Sequence, residues 1–108
     1  MEQDRGQTRG YRFSAHAELT VESSGAHVTA RLCELSREHC CLHVPNPSPV
    51  GTAVLVKIYA WPHFFQIHGT ICQCDPDFVA VAFSEIEPRY VSVLNDCLLE
   101  IEQKESNG

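Results

Sequence analysis

The chain reads as mainly β: a small six-stranded antiparallel barrel with one C-terminal α-helix. Three observations carry this reading. Apolar and polar residues alternate through short segments bounded by turn residues, the period of half-buried strands. Only the last segment switches to helical spacing. About six strands are too many for a flat sheet in 108 residues, and closing the sheet removes its exposed edges.

The elements follow in order. Residues 1–10 hold two glycines and little apolar content and read as a flexible arm; residues 11–104 read as the folded domain. From Tyr11 onward, Phe13, Ala15, Ala17, Leu19 and Val21 alternate with polar neighbours. Ser23-Ser24-Gly25 supplies a turn. His27 to Leu35 alternates again, with Val28, Ala30 and Leu32 on one face. Ser36 to His39 reads as a polar loop and Cys40 to Val44 as a short apolar strand.

The stretch Pro45-Asn46-Pro47-Ser48-Pro49 cannot join a ladder, because each proline lacks a donor; it is a rigid connection ending in Gly51. Val54 to Tyr59 is rich in β-formers, Trp61-Pro62 interrupts it, and Phe64 to Cys74 forms another long strand. Asp75-Pro76-Asp77 then turns into Phe78 to Phe83. Pro88 suits the first turn of a helix, where its missing N–H costs nothing. Val91, Leu94, Leu98 and Ile101 recur at helical spacing with Cys97 on the same stripe, a face able to cover one end of the barrel. Glu85 and Glu87 precede that helix at the positive end of its dipole.

Composition narrows the function. A net charge of -6 argues against nucleic acid as the main partner, since phosphate backbones require a basic face. Arg5, Arg9 and Arg12 nevertheless cluster near the start, an arrangement suited to a small anion. No apolar run is long enough to span a bilayer and no signal peptide is recognisable, so the expected location is cytoplasmic. The six cysteines are then expected to stay reduced.

No nucleophile elbow, phosphate loop or dinucleotide fingerprint occurs, and the chain is not expected to be an enzyme. A metal is not expected either. Cys40 and Cys41 are adjacent and so point to opposite faces of a strand, which suits a shared ion poorly. Cys33, Cys40, Cys72, Cys74 and Cys97 are read instead as small core hydrophobes, and no cofactor is expected.

Arg5-Gly6-Gln7-Thr8-Arg9 sets two guanidiniums on the arm, each a planar fork for phosphate and a flat face for a base. Glu34-Leu35-Ser36-Arg37-Glu38-His39 follows at the end of the second strand. With these two motifs, with Asn46 to Thr52, with the Phe65 to Ile71 strand carrying Gly69, and with Val81-Ala82-Phe83 before a terminal helix, the chain resembles a PilZ domain from Arg5 to about Ile101. The family signature is Arg-x3-Arg followed by (Asp/Asn)-x-Ser-x-x-Gly.

The resemblance implies a six-stranded barrel with a C-terminal helix and cyclic di-GMP as ligand. It implies that Arg5 and Arg9 grip phosphate or guanine and that Ser36 donates to phosphate or base. It further implies signalling to a downstream protein, which the sequence does not name. Two positions depart from the signature. Glu34 replaces Asp or Asn, keeping an acceptor but adding a methylene. His39 replaces a glycine that would allow positive φ and close backbone approach; its ring is a candidate stacking or donor group. The other implied role is that of a degenerate member that binds no nucleotide and acts through protein contacts, in pilus assembly or motility. For that role Trp61, His63, Phe64 and Phe65 form an aromatic hairpin tip. Phe65 and Ile67 are expected to face the barrel, and Trp61 is either a lid on one end or a partner contact.

Overall fold

The computed structural model describes residues 11–107. Six strands form a closed antiparallel barrel, followed by one helix: β1 (Tyr11–Val21), β2 (His27–Leu35), β3 (His39–His43), β4 (Ala53–Ala60), β5 (His63–Cys74), β6 (Phe78–Glu85) and α1 (Pro88–Asn107). Around the barrel the order is β1-β2-β3-β6-β5-β4, with β4 returning to β1. The expected architecture holds, and the strand limits move by one or two residues. His39, expected in a loop, opens β3 and pairs with Ala82 of β6.

Alternation sends one side of each strand inward. Ala17 and Leu19, Ala30 and Leu32, Leu42, Val54, Val56 and Ile58, Phe65, Ile67 and Ile71, and Val79 and Val81 fill the interior. Full burial of such a side chain contributes about 1.5–3 kcal/mol. One inward position on β5 has no side chain at all. A Cβ on Gly69 would sit 2.6 Å from the Ala82 carbonyl oxygen and 2.6 Å from Val81 Cγ1, so β6 packs directly on the β5 backbone there.

Helix α1 leaves β6 and buries Leu94, Cys97 and Leu98 against the core, touching mainly β5 and then β1. Its apolar stripe is rotated from the expected one. Val91 is 42% exposed, while Tyr90, Val93 and Ile101 pack against the core margin. The stripe runs back from Leu94 to Tyr90 at i−4, the spacing that keeps side chains on one helical face.

The cysteine expectation needs a larger correction. Cys40 and Cys97 are buried core residues and Cys74 lies at the core margin. Cys33 is half-buried and Cys72 exposed, because each directly follows an inward residue, Leu32 and Ile71, and therefore faces outward.

Candidate functional site

The β2–β3 hairpin is shaped by a bulge and a serine. Leu32 pairs with Leu42 and Glu34 with Cys41, so Cys33 is an extra residue in β2. The extra residue resets the phase: Leu32 and Leu35 point inward, and Cys33 and Glu34 between them are turned toward the outer face. Ser36 is then 4% exposed, the one buried polar residue among those described. Its hydroxyl accepts hydrogen bonds from the backbone N–H groups of His39 (3.0 Å) and Glu38 (3.2 Å) and donates to the His39 carbonyl (3.3 Å). Its own N–H donates to the same carbonyl at 2.9 Å.

Four hydrogen bonds thus close a tight turn with Arg37 and Glu38 exposed at its tip. The turn is also tied sideways, since Phe83 N–H of β6 donates to the Glu38 carbonyl at 2.8 Å. His39 makes this turn without left-handed backbone; Asn46 is the only non-glycine with positive φ among the described residues. The β-carbon at position 39 therefore carries no backbone strain.

Beside the turn lies a groove of about 370 Å³ over the outer face of β2, β3, β6 and the end of β5. Glu34, Ser36 and His39 line it together with Cys41, Gln73, Asp75 and Phe78. Three predicted site residues thus meet at one depression. Arg5 and Arg9 lie outside the described residues. The far wall, from Gln73 to Ala80, was missed by sequence reasoning. No local pattern marks it, because it reaches β3 only through the β3–β6 pairing of the closed barrel.

Burial dominates the thiols near this groove. It pushes Cys40 well above the ordinary thiol range and raises Cys41 to about 11, with Cys33 and Glu34 adding to the Cys41 effect. Both remain protonated at neutral pH.

The second feature is the β4–β5 hairpin. Phe65 and Ile67 are fully buried, as expected, but Trp61 is 94% exposed and covers nothing. Tyr59, Trp61, Pro62, His63 and Phe64 surround an apolar depression of about 400 Å³. The rings form a chain: His16 to Tyr59 at 5.3 Å, Tyr59 to Phe64 at 5.0 Å, and Phe64 edge-on to Tyr90 of α1 at 6.1 Å. His63 Nε2 faces the Glu100 carboxylate at 3.2 Å without hydrogen-bond alignment, bringing the hairpin against the helix.

Among the described residues, no group of three or more His, Cys, Asp or Glu side chains is arranged to hold a metal ion. No helix among them is long and apolar enough to cross a membrane.

The chain matches solved structures of one fold. It is similar to the PilZ domain of CeSA from a cellulose-synthesizing bacterium, with TM-score 0.72 and 10% identity over 87% of this chain and 98% of that one. It is similar to the PilZ domain of YcgR from Escherichia coli, a structure with c-di-GMP, with TM-score 0.76 and 10% identity over 96% of both chains. It is also similar to the Bacillus subtilis inhibitor of motility MotI/DgrA, with TM-score 0.74 and 12% identity over 97% of this chain and 53% of that one. No curated protein sequence matches it. At these identities the structures establish the fold, and the family model for the PilZ domain matches residues 3–100. The chain belongs to the PilZ domain family, whose members are non-enzymatic ligand-binding and adaptor domains.

Proposed function

We propose that this protein is a cyclic di-GMP receptor of the cytoplasm that signals to a downstream protein, with Arg5, Arg9, Glu34, Ser36 and His39 as its ligand-binding residues. The supporting observation is the register of the first strand. Tyr11 pairs with Leu35, the residue immediately before the Ser36 turn. Arg9 is two residues upstream of Tyr11, at most about 7 Å of backbone away, so its guanidinium is within reach of the groove. Arg5, with four more residues of chain, has reach to the same groove.

In this reading the arginines grip the phosphates and stack on guanine, while Glu34 and His39 supply an acceptor and a ring at the groove wall. Ser36 acts in two ways. Its hydroxyl serves the turn as well as lining the groove, so besides meeting the ligand it holds Glu34 and His39 at a set distance. No bond in the ligand is made or broken. The ligand bound by the YcgR domain supports the choice of nucleotide.

Calorimetric titration of cyclic di-GMP into wild type and Arg9→Ala tests the reading. Each charge-assisted bond contributes about 1.5–3 kcal/mol, so Arg9→Ala is expected to weaken binding roughly tenfold or more. Equal affinities would remove Arg9 from the site.

A second reading rests on the 94% exposure of Trp61 beside Tyr59 and Phe64. Here the protein binds no nucleotide and acts as an interaction module through the aromatic hairpin. It predicts no heat with cyclic di-GMP in wild type, and partner capture that responds to Trp61→Ala and not to Arg5→Ala.

A further inference from the structure

Cys33 and Cys41 oppose one another across the β2–β3 ladder. Because Leu32 pairs with Leu42 and Glu34 with Cys41, the bulge leaves Cys33 as the second β2 residue facing Cys41. Leu32 and Leu42 are fully buried, so the residues beside them on each strand turn to the outer face, where Cys33 and Cys41 are both half-buried. Both residues of a bulge face the single residue on the partner strand, and neighbouring strands lie about 4.7–4.9 Å apart, inside the Cα separation of about 4.4–6.8 Å that a disulfide spans. The remaining thiols are placed differently. Cys40 and Cys97 are buried in the core, and Cys72 and Cys74 share one strand; Cys72 and Cys74 donate to the carbonyls of Ala80 and Asp75, as the Cys33 thiol does to that of Arg31 at 3.7 Å.

We propose that Cys33 and Cys41 are a hydrogen peroxide-sensitive pair that closes reversibly to an intramolecular disulfide on the outer face of the barrel. The Cys33 thiolate attacks the O–O bond of the peroxide; one oxygen stays on sulfur as a sulfenic acid, and the other leaves and takes up a proton as water. The Cys41 sulfur then attacks that sulfenic sulfur, the S–O bond breaks, and the departing hydroxide takes the Cys41 proton. Two thiols are oxidised, one peroxide is reduced, and one disulfide and two waters result. Cys33, standing out of the ladder as the bulge residue, takes the first step, and Cys41, which it faces across the two strands, is the thiol in place for the second. Intracellular disulfides are usually transient and redox-sensing, in keeping with a bond that thiol reductants reopen. The proposal stands whatever molecule occupies the adjacent groove.

Treating the reduced full chain with a small excess of hydrogen peroxide, alkylating the remaining thiols and digesting with trypsin tests it. Cleavage after Arg31, Arg37 and Lys57 separates the peptide carrying Cys33 from that carrying Cys41. The expected dominant product is these two peptides joined with loss of two hydrogens and released by dithiothreitol. The link should vanish in Cys33→Ser and in Cys41→Ser and persist in Cys40→Ser and Cys72→Ser, with folding of each variant checked by circular dichroism. Three results would overturn the proposal: oxidation first at exposed Cys72, bonds only between separate chains, or a link that survives Cys41→Ser and disappears in Cys40→Ser.

Discussion

Two hairpin turns sit at the same end of this barrel and are built on opposite principles. At the β2–β3 turn a polar residue goes inside: Ser36 is buried and its hydroxyl makes three hydrogen bonds to the backbone of the turn. At the β4–β5 turn an apolar residue goes outside: Trp61 is 94% exposed while Phe65, four residues on, is fully buried. Both placements reverse the usual preference of the residue type. The first turn consumes its own polar groups and so fixes geometry, which suits a wall that must hold Glu34 and His39 in place. The second leaves apolar area uncovered and so offers surface, which suits contact with another molecule.

Removing the hydroxyl is the strongest way to break this comparison. Ser36→Ala leaves the Glu38 and His39 N–H groups without their side-chain acceptor and should destabilise the fold by about 1–3 kcal/mol in urea denaturation. A cost below about 0.5 kcal/mol would mean that the Ser36–His39 backbone bond suffices and that the serine is free for a ligand.

Alkali probes the support beneath the second turn. Cys97 of α1 lines a pocket with Trp61 and His63, and burial, followed by the nearby Glu100 carboxylate, raises its thiol to about 11 from an ordinary value of 9.0. The folded protein therefore keeps a proton that the unfolded chain releases between those values. The stabilisation is complete below about pH 9 and declines toward about pH 11, by up to roughly 1.4 kcal/mol per pH unit for each such thiol. Cys41, raised over the same window but only half-buried and so partly screened by solvent, adds a smaller share. Urea denaturation at about pH 8 and about pH 10 should show the loss, and Cys97→Ala should reduce its slope. A slope unchanged by that substitution would place the alkaline sensitivity elsewhere.

The smallest effect is expected at the most exposed aromatic. Trp61→Ala should change stability by no more than about 0.5 kcal/mol, since the indole packs on little. A larger loss would show that the tip supports the hairpin rather than presenting a surface.

Much of this was legible in the chain. The period-2 runs located all six strands, the prolines between Pro45 and Pro49 marked the connection before β4, and Pro88 marked the start of the helix. Phe65 and Ile67 faced inward as their alternation required. Glu34, Ser36 and His39 could be named from a motif in one hairpin, because residues close in sequence stay close in space.

The errors have a common cause. Assigning Cys33 and Cys72 to the core, or Val91 to the buried stripe of α1, used residue type where strand phase and helix rotation decided the outcome. Local periodicity and turn chemistry thus determined which segments became strands and where the polypeptide reversed. Only the closed barrel decided that β6 would lie against β3 and supply the far wall of the groove, that a bulge would set Cys33 opposite Cys41, and that the Ser36 hydroxyl would turn inward. Such pairings join residues distant along the chain, and their energies depend on which surfaces meet, a quantity that no short window of residues contains.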